Sequence, residues 1–83
     1  MNPIPVCKAL VDALVAFEHS GPSEMDPDFA VRTMEHMTSS LLQLNPSDQR
    51  ELRNAFLEIA STSDDVPYGD FVRSIPDMLG LAE

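Results

Sequence analysis

A helix-start signal that occurs twice, at Asp26-Pro27 and at Asn45-Pro46, constrains the fold more than any other feature of the sequence. Each time, a side chain that can cap a helix precedes a proline, whose missing N–H costs nothing in a first helical turn. An acid follows each proline, where the positive end of the helix dipole favours it. Apolar residues then recur at steps of three and four, and no segment alternates with the period of a strand. The pattern therefore predicts an all-α domain.

The same signals give the extent of four predicted helices. The first runs over about residues 5–19, the second over about 27–44 and the third over about 46–60. A short fourth helix opens at Pro67, and Pro76 stops or kinks it. Four helices joined by short loops most simply form an antiparallel up-down bundle, here three main helices and a short C-terminal one. At 83 residues the chain is expected to be a single domain spanning 1–83.

Each predicted helix carries an apolar stripe. The wide stripe of the second helix favours a globular core over a two-stranded coiled coil. The first helix has a narrow polar stripe that Val15 interrupts, which is typical of a central helix or of a subunit interface. The expected core consists of Cys7, Leu10, Val11, Leu14 and Phe17; Ala30, Val31, Met34, Met37, Thr38, Leu41, Leu42 and Leu44; Leu52, Ala55, Phe56, Ile59 and Ala60; and Phe71, Val72, Ile75, Met78, Leu79 and Leu81.

The charge of the chain restricts its partners. Fourteen acidic residues against five basic ones give a formal net charge of −9. Such a chain repels phosphate backbones and anionic membranes, so we expect neither nucleic acid nor membrane as a partner, and a basic protein would be attracted. Cys7 is the single cysteine, which excludes an intramolecular disulfide. The apolar run near the start lacks a preceding positive charge and is too short to span a bilayer, so we expect a cytoplasmic protein.

The acids are expected to cluster at one end of the bundle. In an up-down bundle the first and third loops lie at the same pole, and the sequence around both loops contains no Lys or Arg. Phe29 and Tyr68 belong to this pole, where they either cap the core or serve as aromatic anchors ringed by acids. Leu57 is similarly open to either interpretation. The predicted partner-binding residues are Glu18, Glu24, Asp26, Asp28, Phe29, Asp64, Asp65 and Tyr68.

Catalytic and metal-binding patterns are not found in the sequence. His19 and His36 fall on different predicted helices without a neighbouring nucleophile, and there is no phosphate-binding glycine loop. The alternating acids from Glu24 to Asp28 begin like a calcium loop, but the central glycine and the terminal glutamate are missing. Helix capping explains Asp26 better. We therefore predict no enzymatic activity, no catalytic residue, no cofactor and no metal site.

Size, acidity and the four-helix layout together resemble the immunity proteins of nuclease bacteriocins. That family neutralises toxins through an acidic surface with tyrosines, which implies here a protein-binding role and a basic toxin as partner. The paired tyrosines of the family are absent, since this chain offers only Pro67-Tyr68. The stretch from Asp26 to Arg32, with that from Phe71 to Leu81, is similar to small uncharacterised bacterial proteins, which imply no mechanism.

Three functional hypotheses follow. The leading one is an immunity-type antitoxin whose acidic pole occludes a basic toxin surface. The second is an obligate helical homodimer or adaptor with the apolar first helix as its interface. The third is an acyl-carrier-like domain, which Ser39-Ser40-Leu41-Leu42 resembles in part. In a carrier an Asp precedes the modified serine at a helix start, whereas here both serines fall deep inside the predicted second helix.

Overall fold

A computed structural model describes residues 2–19, 21 and 26–83 of the chain. These residues form four α-helices: α1 (Ile4–His19), α2 (Pro27–Leu41), α3 (Pro46–Ser61) and α4 (Val66–Met78). Over the same residues there is no strand. The predicted small all-α bundle is confirmed, while the antiparallel up-down order of its helices stays a prediction.

Both predicted helix starts are confirmed at the level of single hydrogen bonds. The Asp26 carboxylate accepts the N–H of Asp28 at 2.9 Å, and the Asn45 side chain accepts the N–H of Asp48 at 2.9 Å. Each cap residue has an extended backbone, and each proline follows it directly. The second helix is predicted to run to about residue 44, but α2 ends at Leu41 and a turn follows.

α3 lies at the centre of the packing, with α1 and α4 against it. The five residues predicted to face inward on this helix are all buried: Leu52, Ala55, Phe56, Ile59 and Ala60. Cys7, Val11 and Leu14 of α1 are buried with them, and Leu10 and Phe17 pack on the same core in half-buried positions. At Gly69 an added Cβ would lie 3.2 Å from the Ala60 carbonyl oxygen, so α4 approaches the end of α3 closely.

The core predicted for the second helix is wrong in extent. α2 contains no buried residue. Met34, Met37 and Leu41 pack against the core but remain half-buried, whereas Val31 is exposed. Leu42, Leu44 and Met78, also expected in the core, are exposed as well. A stripe at helical spacing shows which face of a helix is apolar, but it does not show whether a neighbouring helix covers that face.

The end of α4 turns the chain back over α3. Pro76 lies inside the helix, which continues to Met78, so this proline does not stop it. Gly80 then adopts a positive φ of 70°, and its N–H donates to the Asp77 carbonyl at 3.1 Å. The N–H of Leu81 donates to the Pro76 carbonyl at 3.0 Å, which completes a Schellman motif. Leu79 and Leu81 are buried as predicted.

Two polar side chains of α3 hold the returning C-terminal segment. The Gln49 amide is buried, donating to the Leu44 carbonyl at 2.8 Å and accepting the Ala82 N–H at 3.0 Å. The Arg53 guanidinium donates to the carbonyls of Ala82 and Leu81 at 3.0 and 2.8 Å. It also pairs with the Asp77 carboxylate at 2.9 Å. We call Gln49, Arg53 and their partners in residues 77–82 the C-terminal clamp.

The Cys7 thiol lies in the contact between α1 and α3. Its side chain has no exposed surface, and its sulfur lies 3.9 Å from the Leu52 carbonyl oxygen, to which the thiol donates weakly. Burial raises the pKa of this thiol from 9.0 to about 11, because the thiolate would lose its hydration. The thiol therefore stays protonated at neutral pH.

Candidate functional site

The end of α1 and the start of α4 enclose a cleft of about 490 Å³. Two elements from opposite halves of the sequence therefore meet. Its polar groups come from both helices, and its apolar surface comes from Val15 of α1 and from the first turns of α4. We call this the acidic cleft; it is lined by Val15, Glu18, His19, Asp65, Pro67, Tyr68 and Phe71.

Asp65 is held at the rim of the acidic cleft by its role in starting α4. It is the N-cap of the helix, and its carboxylate accepts the Tyr68 N–H at 3.0 Å. Its own N–H donates to the Ser63 hydroxyl at 3.1 Å. Pro67 occupies the second helical position, where a missing N–H is tolerated. The carboxylate thus has a fixed position, and the helix dipole of α4 stabilises its charge.

The aromatic side chains of the cleft are anchored in the fold. Tyr68 and Phe71 are half-buried and pack against the hydrophobic core. Val15 of α1 packs there in the same way. The wall of the cleft is consequently apolar and preorganised, and the carboxylates of Glu18 and Asp65 lie beside it. Such an arrangement can bind a side chain that combines a positive charge with an apolar stem.

The other predicted site residues that the structure describes do not line the acidic cleft. Asp26, Asp28 and Phe29 lie at the start of α2 and do not line it. Phe29 is 57% exposed, so the interpretation that it caps the core is wrong. Asp64 is exposed in the turn before α4. Glu24 lies outside the described residues. Of the predicted set, the cleft therefore brings together Glu18, Asp65 and Tyr68.

Part of the cleft was not foreseen from the sequence. His19 and Val15 were assigned to the polar stripe of the first helix, and Phe71 to the core. The capping role of Asp65 was also missed. Asp65 and Pro67 form the same kind of helix-start signal as Asp26-Pro27, with one additional residue between the capping side chain and the proline. That repeated signal places Asp65 at a helix start. The pairing of α1 with α4 across the cleft depends on long-range packing and has no local signal.

The residues with catalytic or metal-binding potential are dispersed. His19 lines the acidic cleft, while His36 lies on α2. Within residues 2–19, 21 and 26–83 no three His, Cys, Asp or Glu side chains are grouped so that they could hold a metal ion. Ser39 and Ser40 are exposed near the C-terminal end of α2, not at a helix start. None of the helices formed by the described residues has the length and hydropathy needed to cross a bilayer.

Comparisons with protein-family models, with curated protein sequences and with solved structures find no match for this chain. A function must therefore be inferred from the chemistry of its surfaces. The acidic cleft is the place where fixed charge, half-buried aromatic side chains and a concave shape coincide.

Proposed function

We propose that the chain is a non-catalytic protein-binding module that captures a basic partner protein at the acidic cleft. In the form we favour it is an immunity-type antitoxin, which occludes the basic surface of a toxin. The observation that carries the proposal is the position of Glu18 and Asp65 beside the half-buried ring of Tyr68.

Charge supports a basic partner. The chain has a formal net charge of −9, and among the described residues that line the acidic cleft none is basic apart from His19, counted as neutral. A field of one sign accelerates the encounter with an oppositely charged protein and rejects partners of like charge. The cleft would therefore select for Lys or Arg side chains and against acidic ones.

The shape of the cleft supports a specific contact in addition to long-range attraction. Its volume of about 490 Å³ is enough for one or two side chains of a partner. An arginine or lysine inserted there could lie against the Tyr68 ring while its charge reaches the two carboxylates, which combines cation–π attraction with charge pairing. Preorganised aromatic side chains of this type contribute most of the binding energy in many interfaces.

The test is the binding kinetics of charge variants with the product of the neighbouring gene, since immunity genes lie beside their toxins. The double variant Glu18→Lys/Asp64→Lys reverses one charge that lines the cleft and one exposed charge in the turn directly before Asp65. It should slow association at low salt by roughly tenfold and flatten its salt dependence, because exposed charges near a binding site act on the on-rate. It leaves Asp65 intact as the cap of α4. Glu51→Lys, an exposed reversal in the N-terminal half of α3, is the control; it changes the net charge by as much as Glu18→Lys alone and should slow association much less than that single variant does.

The aromatic anchor is tested separately. Tyr68→Ala should speed dissociation by roughly 30-fold, which corresponds to about 2 kcal/mol. Phe29→Ala removes an aromatic side chain that does not line the cleft and should leave dissociation unchanged. Because Tyr68 packs on the core, thermal unfolding of each variant must be measured as well. A loss of binding in Glu51→Lys, with the Glu18/Asp64 double variant unaffected, would place the binding site at the other end of the molecule.

A further inference from the structure

The exposed large hydrophobic side chains of the described residues are concentrated around α2. Phe29 and Val31 belong to the helix, and Leu42 and Leu44 follow it immediately. Met78 at the end of α4 is exposed in the same region. By contrast, α1, the helix expected to provide a subunit interface, exposes only Val6 among its described large hydrophobic side chains. Where several such side chains share one surface, that surface marks an interaction site more often than scattered single residues do.

Three of these residues, Val31, Leu42 and Met78, border a groove of about 660 Å³ between α2 and the end of α4. We call it the α2 groove. Apolar side chains and the methyl group of Thr38 dominate its surface, and Glu35 is the one charged residue among those described as lining it. The groove is lined by Ala30, Val31, Met34, Glu35, Thr38, Ser39, Leu42 and Met78.

The charges of α2 are self-complementary although the chain as a whole is strongly acidic. The helix spans residues 27–41, so its midpoint lies at residue 34. Arg32 and Glu35 lie on either side of this midpoint. If two copies of α2 run antiparallel about a two-fold axis near residues 33 and 34, Arg32 of each copy lies opposite Glu35 of the other. Asp28 then lies opposite Ser39, so no acid of α2 faces an acid of the second copy.

We propose that the α2 groove is a self-association surface, in which a second copy of this chain places its own α2 antiparallel along the groove. Apolar burial around Val31 and Met34 stabilises the pair, and two Arg32–Glu35 contacts fix its direction. This inference goes beyond the proposed function, because it concerns a different surface. Tyr68 and Met78 are ten residues apart along α4, or about 15 Å, so a dimer formed at the groove leaves both acidic clefts accessible.

The size of the surface indicates a weak dimer. A helix of 15 residues is about 22 Å long, and one such helix buries several hundred Å² on each copy. Stable interfaces bury about 800 Å² on each partner. We therefore expect dissociation in the micromolar range, and sedimentation equilibrium should cover total concentrations from about 1 μM to a few hundred μM.

The first test compares two substitutions of the same kind in the full chain. Val31→Asp places a charge in the groove at a residue that is 58% exposed, and it should raise the dimer dissociation constant by at least roughly tenfold. Val66→Asp, at a residue that is 70% exposed at the start of α4, should leave it unchanged. Because both positions are exposed, circular dichroism should show unchanged helix content in both variants.

A charge swap tests the antiparallel arrangement itself. Arg32→Glu and Glu35→Arg each create like-charge contacts across the two-fold axis, so each should weaken the dimer by roughly tenfold. The double variant exchanges the two charges and should restore the dissociation constant of the parent chain. Because Arg32 and Glu35 are also three residues apart on one helix, circular dichroism of each variant is needed to separate a change in the helix itself from a change in the dimer contact.

Three results would overturn the proposal. The first is a parent chain that stays monomeric at the highest concentration. This includes the case in which the α2 groove binds the product of the neighbouring gene, which hydrogen exchange would show as protection of α2 in the complex. The second is a dimer that Val66→Asp dissociates and Val31→Asp does not. The third is a charge-swapped double variant that remains monomeric. Val31→Asp leaves the acidic cleft intact, so this variant should still bind the basic partner even if it no longer dimerises. Measuring that binding separates a failure of this proposal from a failure of the proposed function.

Discussion

α2 and α3 begin with the same kind of capping signal, but α3 is largely buried on one face and α2 is not. Each opens with a capping side chain followed by proline, each carries an apolar stripe, and their lengths are 15 and 16 residues. Yet α3 buries six residues, including the polar Gln49, and α2 buries none. The comparison shows that local signals determine where a helix starts, while the placement of other helices determines how much of it is buried.

The difference has a physical basis in the side chains and in the connections of the two helices. The stripe of α3 contains Leu52, Phe56 and Ile59, large residues whose burial is worth about 1.5–3 kcal/mol each. α1 and α4 cover this stripe, and the C-terminal clamp covers the N-terminal half of the helix. The corresponding face of α2 meets the core only through half-buried Met34, Met37 and Leu41.

The largest contrast is expected between two phenylalanines. Phe56→Ala in α3 removes a ring with no exposed surface and should cost about 3–5 kcal/mol, out of a total stability of roughly 4–12 kcal/mol. Phe29→Ala in α2 should change the free energy of unfolding by less than about 0.5 kcal/mol. Urea denaturation followed by circular dichroism measures both. Equal losses would show that α2 belongs to the same core as α3.

A smaller effect is expected from the C-terminal clamp. Arg53→Ala removes hydrogen bonds to the Leu81 and Ala82 carbonyls and the ion pair with Asp77, and should cost about 2–3 kcal/mol. Arg50→Ala, three residues earlier on an exposed side chain of the same helix, is the control and should cost under about 0.5 kcal/mol. If both variants unfold at the same urea concentration, the clamp does not contribute to stability.

The smallest effect concerns the two helix caps, and it asks whether α2 unfolds with the rest of the chain. Asn45→Ala should lower the global free energy of unfolding by about 1 kcal/mol, because α3 is central to the fold. Asp26→Ala should have less effect on global unfolding and instead raise hydrogen exchange of α2 amides roughly fivefold through local opening. An Asp26→Ala variant that loses as much global stability as Asn45→Ala would indicate that α2 unfolds cooperatively with α3.

The elements of the fold could be predicted because their causes are local. Asp26, Asn45 and their prolines mark helix starts through bonds that span two or three residues. The burial of Phe56 follows from a stripe of large side chains. The exposure of Val31 and Leu42 could not be predicted, because it depends on where α1 and α4 pack. The contacts of Gln49 and Arg53 with the C-terminal segment could not be predicted for a related reason: these partners lie 24 to 33 residues further along the chain.

The candidate site was predicted in part. Acid-rich segments around the first and third loops are visible in the sequence, and the structure joins Glu18 to Asp65 and Tyr68. Asp28 and Phe29, at the start of α2, are not among the residues that line the acidic cleft. Composition shows how much charge a chain carries, but the tertiary arrangement decides which charges share a surface.

The buried Cys7 thiol allows local opening of the protein to be measured. Cys7 is the single cysteine of the chain, it has no exposed surface, and its pKa of about 11 keeps it protonated at neutral pH. An alkylating reagent requires an accessible thiolate, so it reacts at a significant rate only when α1 separates from α3. The rate of alkylation under native conditions therefore reports the population of the opened form or, when alkylation outpaces reclosing, the rate of opening, and no cysteine has to be introduced for the measurement.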